Sequence, residues 1–351
     1  MNNISHHILQ QRFKVLVRCF TYNQSKYIVE TLNGFAIQTT NFPFVCLVMD
    51  DASTDGEQDV IKTWMEKECD MARAEFLDIP SSIVILVPHY VNTSCIFAFY
   101  MLKKNLHNVE SQKMELVNSW RERSEYEALC EGDDYWIDSM KLQKQVDFLE
   151  DNQDYGMCYT KCKCFYQSSS RFAADSWGGN STTFDELFIQ NTVPTATVMC
   201  RQYLVRKYSD DIRPYERDWK LGDYPFWLYI SKESKIFFSN ETTSIYRVLD
   251  ESASHSKSFE ALDAFIHSIF DMKLFFSQYY QYNTDLNDFK YKSLALNAFR
   301  FKNRLKNIEY IRMVNKKSFP VCVLYLVAQC SIIYNLCSYV YNKTISKLKD
   351  R

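Results

Sequence analysis

Four short apolar runs, each followed by a helix-like pattern, constrain this chain more than anything else in it. KVLVRCF (14–20), FVCLVMD (44–50), IVILVP (83–88) and YEALCE (126–131) read as buried strands. Between and after them come helical patterns. Asn23 and Ser25 open a stretch with Ile28, Leu32 and Phe35 on one face. A second helix is predicted through Ile61 and Trp64, a third over CIFAFYMLKKNL (95–106), and an amphipathic fourth over MKLQKQVDFLED (140–151). Such alternation demands a mostly parallel sheet with right-handed crossovers and helices on both faces. In sheets of that kind ligands bind outside the carboxyl ends of the strands.

The second half reads differently. Residues 155–167 suggest a strand, 181–191 a short helix, 195–204 another strand, 221–234 a helix and 235–248 a strand. From Ser258 to the end the pattern is helical and aromatic, so a boundary is set near residue 256. Residues 1–256 form the main domain, with halves of about 13–135 and 136–256, and 257–351 form a helical C-terminal extension.

Bulk properties remove several classes. A chain of 351 residues, 46% hydrophobic and only 7 Gly and 7 Pro, is globular rather than disordered. Its formal net charge of -2 gives no basic field for nucleic acid. The 12 cysteines are scattered through apolar runs without paired C-x2-C spacing, and read as small buried hydrophobes in a reducing compartment. The N-terminus shows no apolar signal segment. Phe319 to Tyr341 is long enough to span a bilayer, but Gln329, Ser331, Asn335 and Ser338 interrupt it and lysines flank it. An interfacial helix with a basic collar, or a terminal helix packed on the domain, both fit.

Two acidic clusters fall at predicted strand ends: Asp50-Asp51 after the second strand and Glu131, Asp133, Asp134 after the fourth. Carboxylates this close repel unless a cation lies between them, so the rim reads as a divalent metal site, with a solvated acidic turn as the plain alternative. No GxGxxG follows the first strand and no GxxxxGK[ST] occurs, so the usual Gly-rich phosphate loops are absent.

VRCFTYNQSKYIVETLNGFAIQT, VMDDASTDG and LCEGDDYWIDSMKLQKQVDFLE together resemble family 2 glycosyltransferases of the GT-A fold, over roughly residues 13–256. GDYPFW (222–227) and YRVLDESASHS (246–256) resemble the later part of bacterial members. The resemblance implies a Rossmann-like α/β sheet and transfer of a sugar from a nucleoside diphosphate donor. It implies a divalent metal, Mn2+ or Mg2+, at a D-x-D motif whose counterpart here is Glu131-Gly132-Asp133. Asp133 is then the direct ligand, Glu131 touches the ribose or a metal-bound water, and Gly132 lets the backbone approach the donor. Asp134 either contacts the sugar or caps the next turn.

Asp50 and Asp51 match the pair that accepts from the uracil N–H, with Asp51 as the contact and Asp50 supporting it; an Asx-turn is the local alternative. Thr21 and Tyr22 line the nucleotide pocket. Asp223 matches the catalytic base, with a helix N-cap as its structural alternative. His255 is a third metal ligand or plain surface, and Arg247 pairs with phosphate or braces the loop.

The implied activity is inverting, metal-dependent hexosyl transfer from a UDP-sugar to a glycan or lipid-linked glycan, in surface polysaccharide or lipopolysaccharide assembly. The implied location is the cytoplasm, at the inner face of the plasma membrane. A catalytically inactive GT-A domain serving as a scaffold is the alternative, and it predicts loss of acids that are present. A nucleotidyltransferase would need a Gly-rich basic loop where TYNQSKY stands.

Overall fold

The structure, a computed structural model, describes residues 7–107, 109–249, 258–316 and 318–349. The chain divides into two compact units. The first comprises Met1–Phe165, Asp175–Glu216 and Phe226–Arg247; the second comprises Tyr166–Ala174, Arg217–Pro225 and Val248–Arg351. The boundary expected at 256 lies outside the described residues.

In chain order the elements begin α1 (His7–Gln10), β1 (Phe13–Thr21), α2 (Ile28–Ala36), β2 (Phe44–Asp50) and α3 (Glu57–Glu68). Then come β3 (Glu75–Ile79), β4 (Ser82–Pro88), β5 (Cys95–Leu102), α4 (Glu110–Arg121) and β6 (Ser124–Leu129). They continue with β7 (Tyr135–Trp136), α5 (Lys141–Asp151), β8 (Tyr155–Tyr166), β9 (Arg171–Trp177) and α6 (Phe184–Ile189). The sheet-bearing part closes with β10 (Met199–Arg201), α7 (Gln202–Ile212), α8 (Tyr224–Glu233) and β11 (Lys235–Val248).

The strands join in the order β3-β4-β5-β2-β1-β6-β10-β8-β11-β7, with β9 beside β8. The centre, β5-β2-β1-β6, is parallel. Antiparallel β3-β4 extends it on one side and β10-β8 on the other. A mixed α/β sheet results, and its parallel part carries the acidic rim. Apolar side chains fill both faces: Val15, Val17, Cys46, Val48, Phe97 and Phe99 on one, Leu16, Val45, Leu47, Met49 and Ala98 on the other.

Two element assignments need correction. CIFAFYML is not a helix; Cys95–Leu102 is β5, buried at every position. A strand covered on both faces loses its period-2 signature, and periodicity alone cannot tell it from a buried helix. The crossover helix is instead α4. In TATVMCRQYL only Met199–Arg201 is strand, and Gln202 already begins α7. The buried set Gln202, Leu204, Val205, Tyr208 and Ile212 has helical spacing, continued past the point where the strand reading stopped.

In the second unit, α9 (Phe259–Tyr279), α10 (Asn287–Arg300), α11 (Arg304–Arg312), α12 (Phe319–Gln329) and α13 (Ser331–Lys349) pack around Leu294, Ala298, Ile311, Ala328 and Tyr334. The apolar segment 319–341 is broken at Cys330, whose backbone is extended. Among the described residues no helix is long and apolar enough to cross a membrane.

Candidate active site

Backbone pairing alone gathers the acidic clusters. Thr21 at the end of β1 lies beside Asp50 at the end of β2. Asp51 N–H donates to the Thr21 carbonyl (3.0 Å), Cys130 N–H to Arg18 O (3.2 Å) and Gly132 N–H to Phe20 O (3.1 Å). Thr21, Asp50, Asp51, Glu131, Gly132 and Asp133 therefore share the carboxyl rim of three adjacent strands. Tyr22 stands exposed on that rim.

The loops after β1 and β2 are bolted together by a residue that sequence reasoning passed over. Glu57, fully buried in the first turn of α3, accepts from the Thr21 hydroxyl, from Gln24 N–H (2.8 Å) and from the Ser53 hydroxyl (2.9 Å). Burial raises its carboxyl above the ordinary range even though these donors oppose the shift. Further ties run from Asn23 N–H to Ser53 Oγ (2.9 Å), Thr54 N–H to Asn23 Oδ1 (2.8 Å) and Ser25 N–H to Asp55 Oδ2 (2.9 Å). Asn23 and Ala52 both take left-handed backbone, φ 55° and 59°. For Ala52 that costs about 1 kcal/mol or more, a strain usually kept only where the surroundings impose it, as at binding sites. The signal for Glu57 was its place directly after DASTDG, at the start of a helix.

Asp50 and Asp51 are both buried but held differently. Asp50 Oδ1 accepts from Ser53 N–H (3.1 Å) and Gln58 Nε2 (2.5 Å), while its buried Oδ2 has no hydrogen-bond partner among the described residues. Asp51 Oδ1 accepts from Leu106 N–H (2.6 Å), and its Oδ2 pairs with Lys113 Nζ at 2.7 Å. Lys113, on α4, was not singled out from the sequence.

The acidic loop is fixed from three directions. Thr31 on α2 donates its hydroxyl toward the carbonyls of Gly132 (2.9 Å) and Asp134 (2.6 Å). Gly132 itself sits where a Cβ would meet Thr21 Cβ at 2.6 Å and would also collide with Thr21 Oγ1 and Gln24 Oε1. Gly132→Ala is expected to displace Thr21 and Gln24 and to cost about 1–3 kcal/mol of stability by overpacking. Thermal unfolding checks this; a midpoint unchanged within error would show that the loop has slack.

From the third side comes Arg247 of β11, itself buried. Its Nε donates to Asp133 O (2.9 Å), its Nη2 to Glu30 Oε2 (2.5 Å) and its backbone N–H to Asp134 Oδ1 (2.8 Å). The guanidinium lies over the rings of Tyr27 (4.6 Å) and Tyr135 (5.4 Å). Of its two sequence-based roles, the structure displays the bracing one.

Asp134 is thereby turned inward, and burial together with the Asp133 charge holds its carboxyl well above the usual range. Asp133 remains half-buried, and desolvation raises its carboxyl too, against the opposing effects of Arg247 and Gln24. A desolvated carboxylate on an open rim favours an added cation. Among the described residues no three His, Cys, Asp or Glu side chains converge as a ready-made cage. Two carboxylates, Asp133 and Glu131, fit the mode in which Mg2+ or Mn2+ takes one or two protein oxygens and completes its shell with phosphate and water.

Asp223 lies in the second unit, half-buried just before α8, where its Oδ1 accepts from Tyr224 N–H (2.6 Å). His255 lies outside the described residues. The thiols of Cys19 and Cys130 beneath the rim are pushed up by burial and by the acids around them, so neither is a reactive thiolate.

No family model matches this chain. Uncharacterized proteins of Mycobacterium tuberculosis (strain ATCC 25618 / H37Rv) and Mycobacterium bovis (strain ATCC BAA-935 / AF2122/97) are each 30% identical over 185 residues, 52% of this chain and 45% of theirs. The chain thus spans about half the length of the curated relatives it matches. Among solved structures, S. aureus TarS 1–349 in complex with UDP-GlcNAc is similar with a TM-score of 0.51 and 17% identity, over 96% of this chain and 92% of that one. The same protein in complex with UDP gives 0.50 and 17%, over 95% and 91%. At this identity the likeness is one of fold.

Proposed function

We propose that this chain is an inverting, metal-dependent glycosyltransferase of the family 2 type, moving a sugar from a UDP-sugar to a glycan hydroxyl. One observation carries the reading: β1, β2 and β6 bring Thr21, Asp50-Asp51 and Glu131-Gly132-Asp133 to one rim, cross-bolted through Glu57 and Arg247. The shared fold with TarS, which is described with UDP and with UDP-GlcNAc, supports the donor class.

In this reading Asp51 meets the base edge, and Asp50, buried beside it and accepting from Ser53 N–H, supports it. Tyr22 and Thr21 wall the nucleoside. Gly132, without a Cβ, lets the backbone come close to the ribose and diphosphate. A divalent cation held by Asp133 and Glu131 would supply positive charge to the departing diphosphate oxygens. Asp223 takes the proton of the acceptor hydroxyl as its oxygen attacks the anomeric carbon from the face opposite the leaving group. A single displacement of this kind inverts the anomeric centre. The acceptor we assign is a growing surface glycan, on a lipid carrier in the cytoplasmic leaflet.

Calorimetric titration of UDP into the full chain, with and without Mn2+, tests the donor site. Binding is expected with Mn2+ and at least tenfold weaker without it. If UDP fails to bind under either condition, the UDP-sugar assignment falls, and a scaffold role for the fold moves forward.

A further inference from the structure

The second unit carries an apolar surface that the sugar-transfer reading does not use. It lies on α12 and α13, and hydrogen bonds fix which face of α13 points inward. Tyr334, Ser338 and Asn342, spaced four apart, donate to the carbonyls of Ala298 (3.2 Å), Phe299 (2.7 Å) and Arg300 (2.8 Å). Those are carbonyls of the last turn of α10, which lack partners within their own helix. Arg304 likewise donates to Ala328 O at the end of α12 (3.0 Å). On α12 the inward positions are Val321, Leu324, Tyr325 and Ala328.

With the inner faces committed in this way, the outer faces follow from helical periodicity. Phe319 and Leu326 on α12 are 82% and 68% exposed, and Ile332 and Leu336 on α13 are 78% and 62% exposed. Each pair is spaced for one face of its helix, i to i+7 and i to i+4. Large apolar side chains left exposed along one face of each helix mark a contact surface rather than scattered exposure.

Charge selects the partner. Residues 302–351 hold 10 Lys and Arg against 2 Asp and Glu, in a chain whose formal net charge is -2. From Ser318 to Asn342 there is no charged residue at all. The basic groups therefore flank the apolar stretch on both sides in sequence, with Lys302, Arg312, Lys316 and Lys343 exposed. An apolar surface with a cationic collar is complementary to a bilayer with anionic headgroups: the apolar side chains enter the acyl boundary while the lysines meet the phosphates. Neither helix spans. α12 has 11 residues, about 16 Å at 1.5 Å per residue, and the break at Cys330 prevents the two helices from acting as one.

We infer that the outer face of α12 and α13 seats this chain peripherally on an anionic membrane surface, as an interfacial pair of helices. The inference stands apart from the assignment of sugar transfer.

Co-sedimentation of the full chain with vesicles tests it, using phosphatidylcholine alone and phosphatidylcholine with 30% phosphatidylglycerol. The wild type is expected to pellet at least tenfold more strongly with the anionic vesicles, and 0.5 M NaCl is expected to weaken that binding. Leu326→Glu, Ile332→Glu and Leu336→Glu together should abolish it while circular dichroism stays unchanged, because all three side chains are exposed. A second variant, Lys316→Glu with Lys343→Glu, should lose the preference for anionic lipid and keep the helices. If the wild type stays in the supernatant with both vesicle types, the inference is overturned. It is equally overturned if light scattering shows a vesicle-free dimer that the triple variant dissociates, since the surface would then join two copies of the chain.

Discussion

Glu127→Gln is expected to destabilise the chain by about 3–5 kcal/mol, the cost of leaving buried cations without their counter-charge. Glu127 lies on β6, is 1% exposed, and holds two guanidinium groups. Arg121 grips it through Nε to Oε2 (2.9 Å) and Nη2 to Oε1 (3.0 Å), and Arg18 on β1 adds Nε to Oε1 (2.9 Å). Burial pushes the carboxyl up, but the two arginines outweigh it and bring Glu127 down to about 2. A glutamine keeps one acceptor oxygen, turns an NH2 toward arginine donors, and leaves the buried Arg121 and the partly buried Arg18 without their counter-charge.

The pH dependence carries the sign. A depressed carboxyl contributes stability that is fully present above its unfolded value, near 4.5, and is lost as pH falls from there toward 2. Wild type should therefore lose stability across that window in urea unfolding, and Glu127→Gln should lose much less of it, having already forfeited the contribution. The variant Arg18→Met/Glu127→Leu/Arg121→Met, which removes all the charges, should recover most of the loss. A single-variant loss below about 1 kcal/mol would mean that water reaches the cluster and solvates it.

The consequence for the site is positional. Glu127 precedes Glu131 by four residues on the strand that delivers the acidic loop, and Arg18 precedes Thr21 by three on the neighbouring strand. The ion cluster thus locks the register of the two strands whose ends form the rim. The hydrophobic pattern sets which face each residue takes, and the ion cluster adds a specific polar constraint to the same register.

Much of this was legible in the sequence, and the reasons are local. The strands before the acids are short apolar runs ending in turn residues, so the sequence alone gathers the acids at strand ends. β5 was misread because CIFAFYML is buried on both faces, which erases the alternation that distinguishes strand from helix. Glu57 and Lys113 were missed for a different reason. Each works through a partner distant in sequence, Thr21 for one and Asp51 for the other, and no local pattern reports a contact across 36 or 62 positions. Arg247 was noticed, yet its bracing role emerged only from its bonds to Glu30 and to the Asp133-Asp134 backbone and side chain. The inward face of α13 was illegible as well, because Ser338 read only as one of several polar interruptions and Tyr334 and Asn342 carried no signal of their own, and only the carbonyls of α10 explain the three.

Asp133→Asn should lower the Mn2+-dependent affinity for UDP at least 100-fold, about 2.7 kcal/mol, while leaving the fold intact. The two side chains are nearly isosteric, and the group replaced is a half-buried carboxylate whose charged form is already disfavoured by desolvation. Removing that charge costs the folded chain little and takes away the hard anionic oxygen that a divalent ion requires. Asp134→Asn is the matched control. Its Oδ1 serves Arg247 N–H from a buried position, and an asparagine oxygen can take the same bond, so UDP affinity should change less than threefold. Glu131→Gln should fall between the two, since its longer arm reaches the ribose or a metal-bound water in the proposed reading. Titration calorimetry on the three variants, beside circular dichroism, separates the assignments. Wild-type affinity in Asp133→Asn would remove Asp133 as the ligand. A large loss confined to Asp134→Asn, with the fold preserved, would move the cation to the inner carboxylate and require Arg247 to release it.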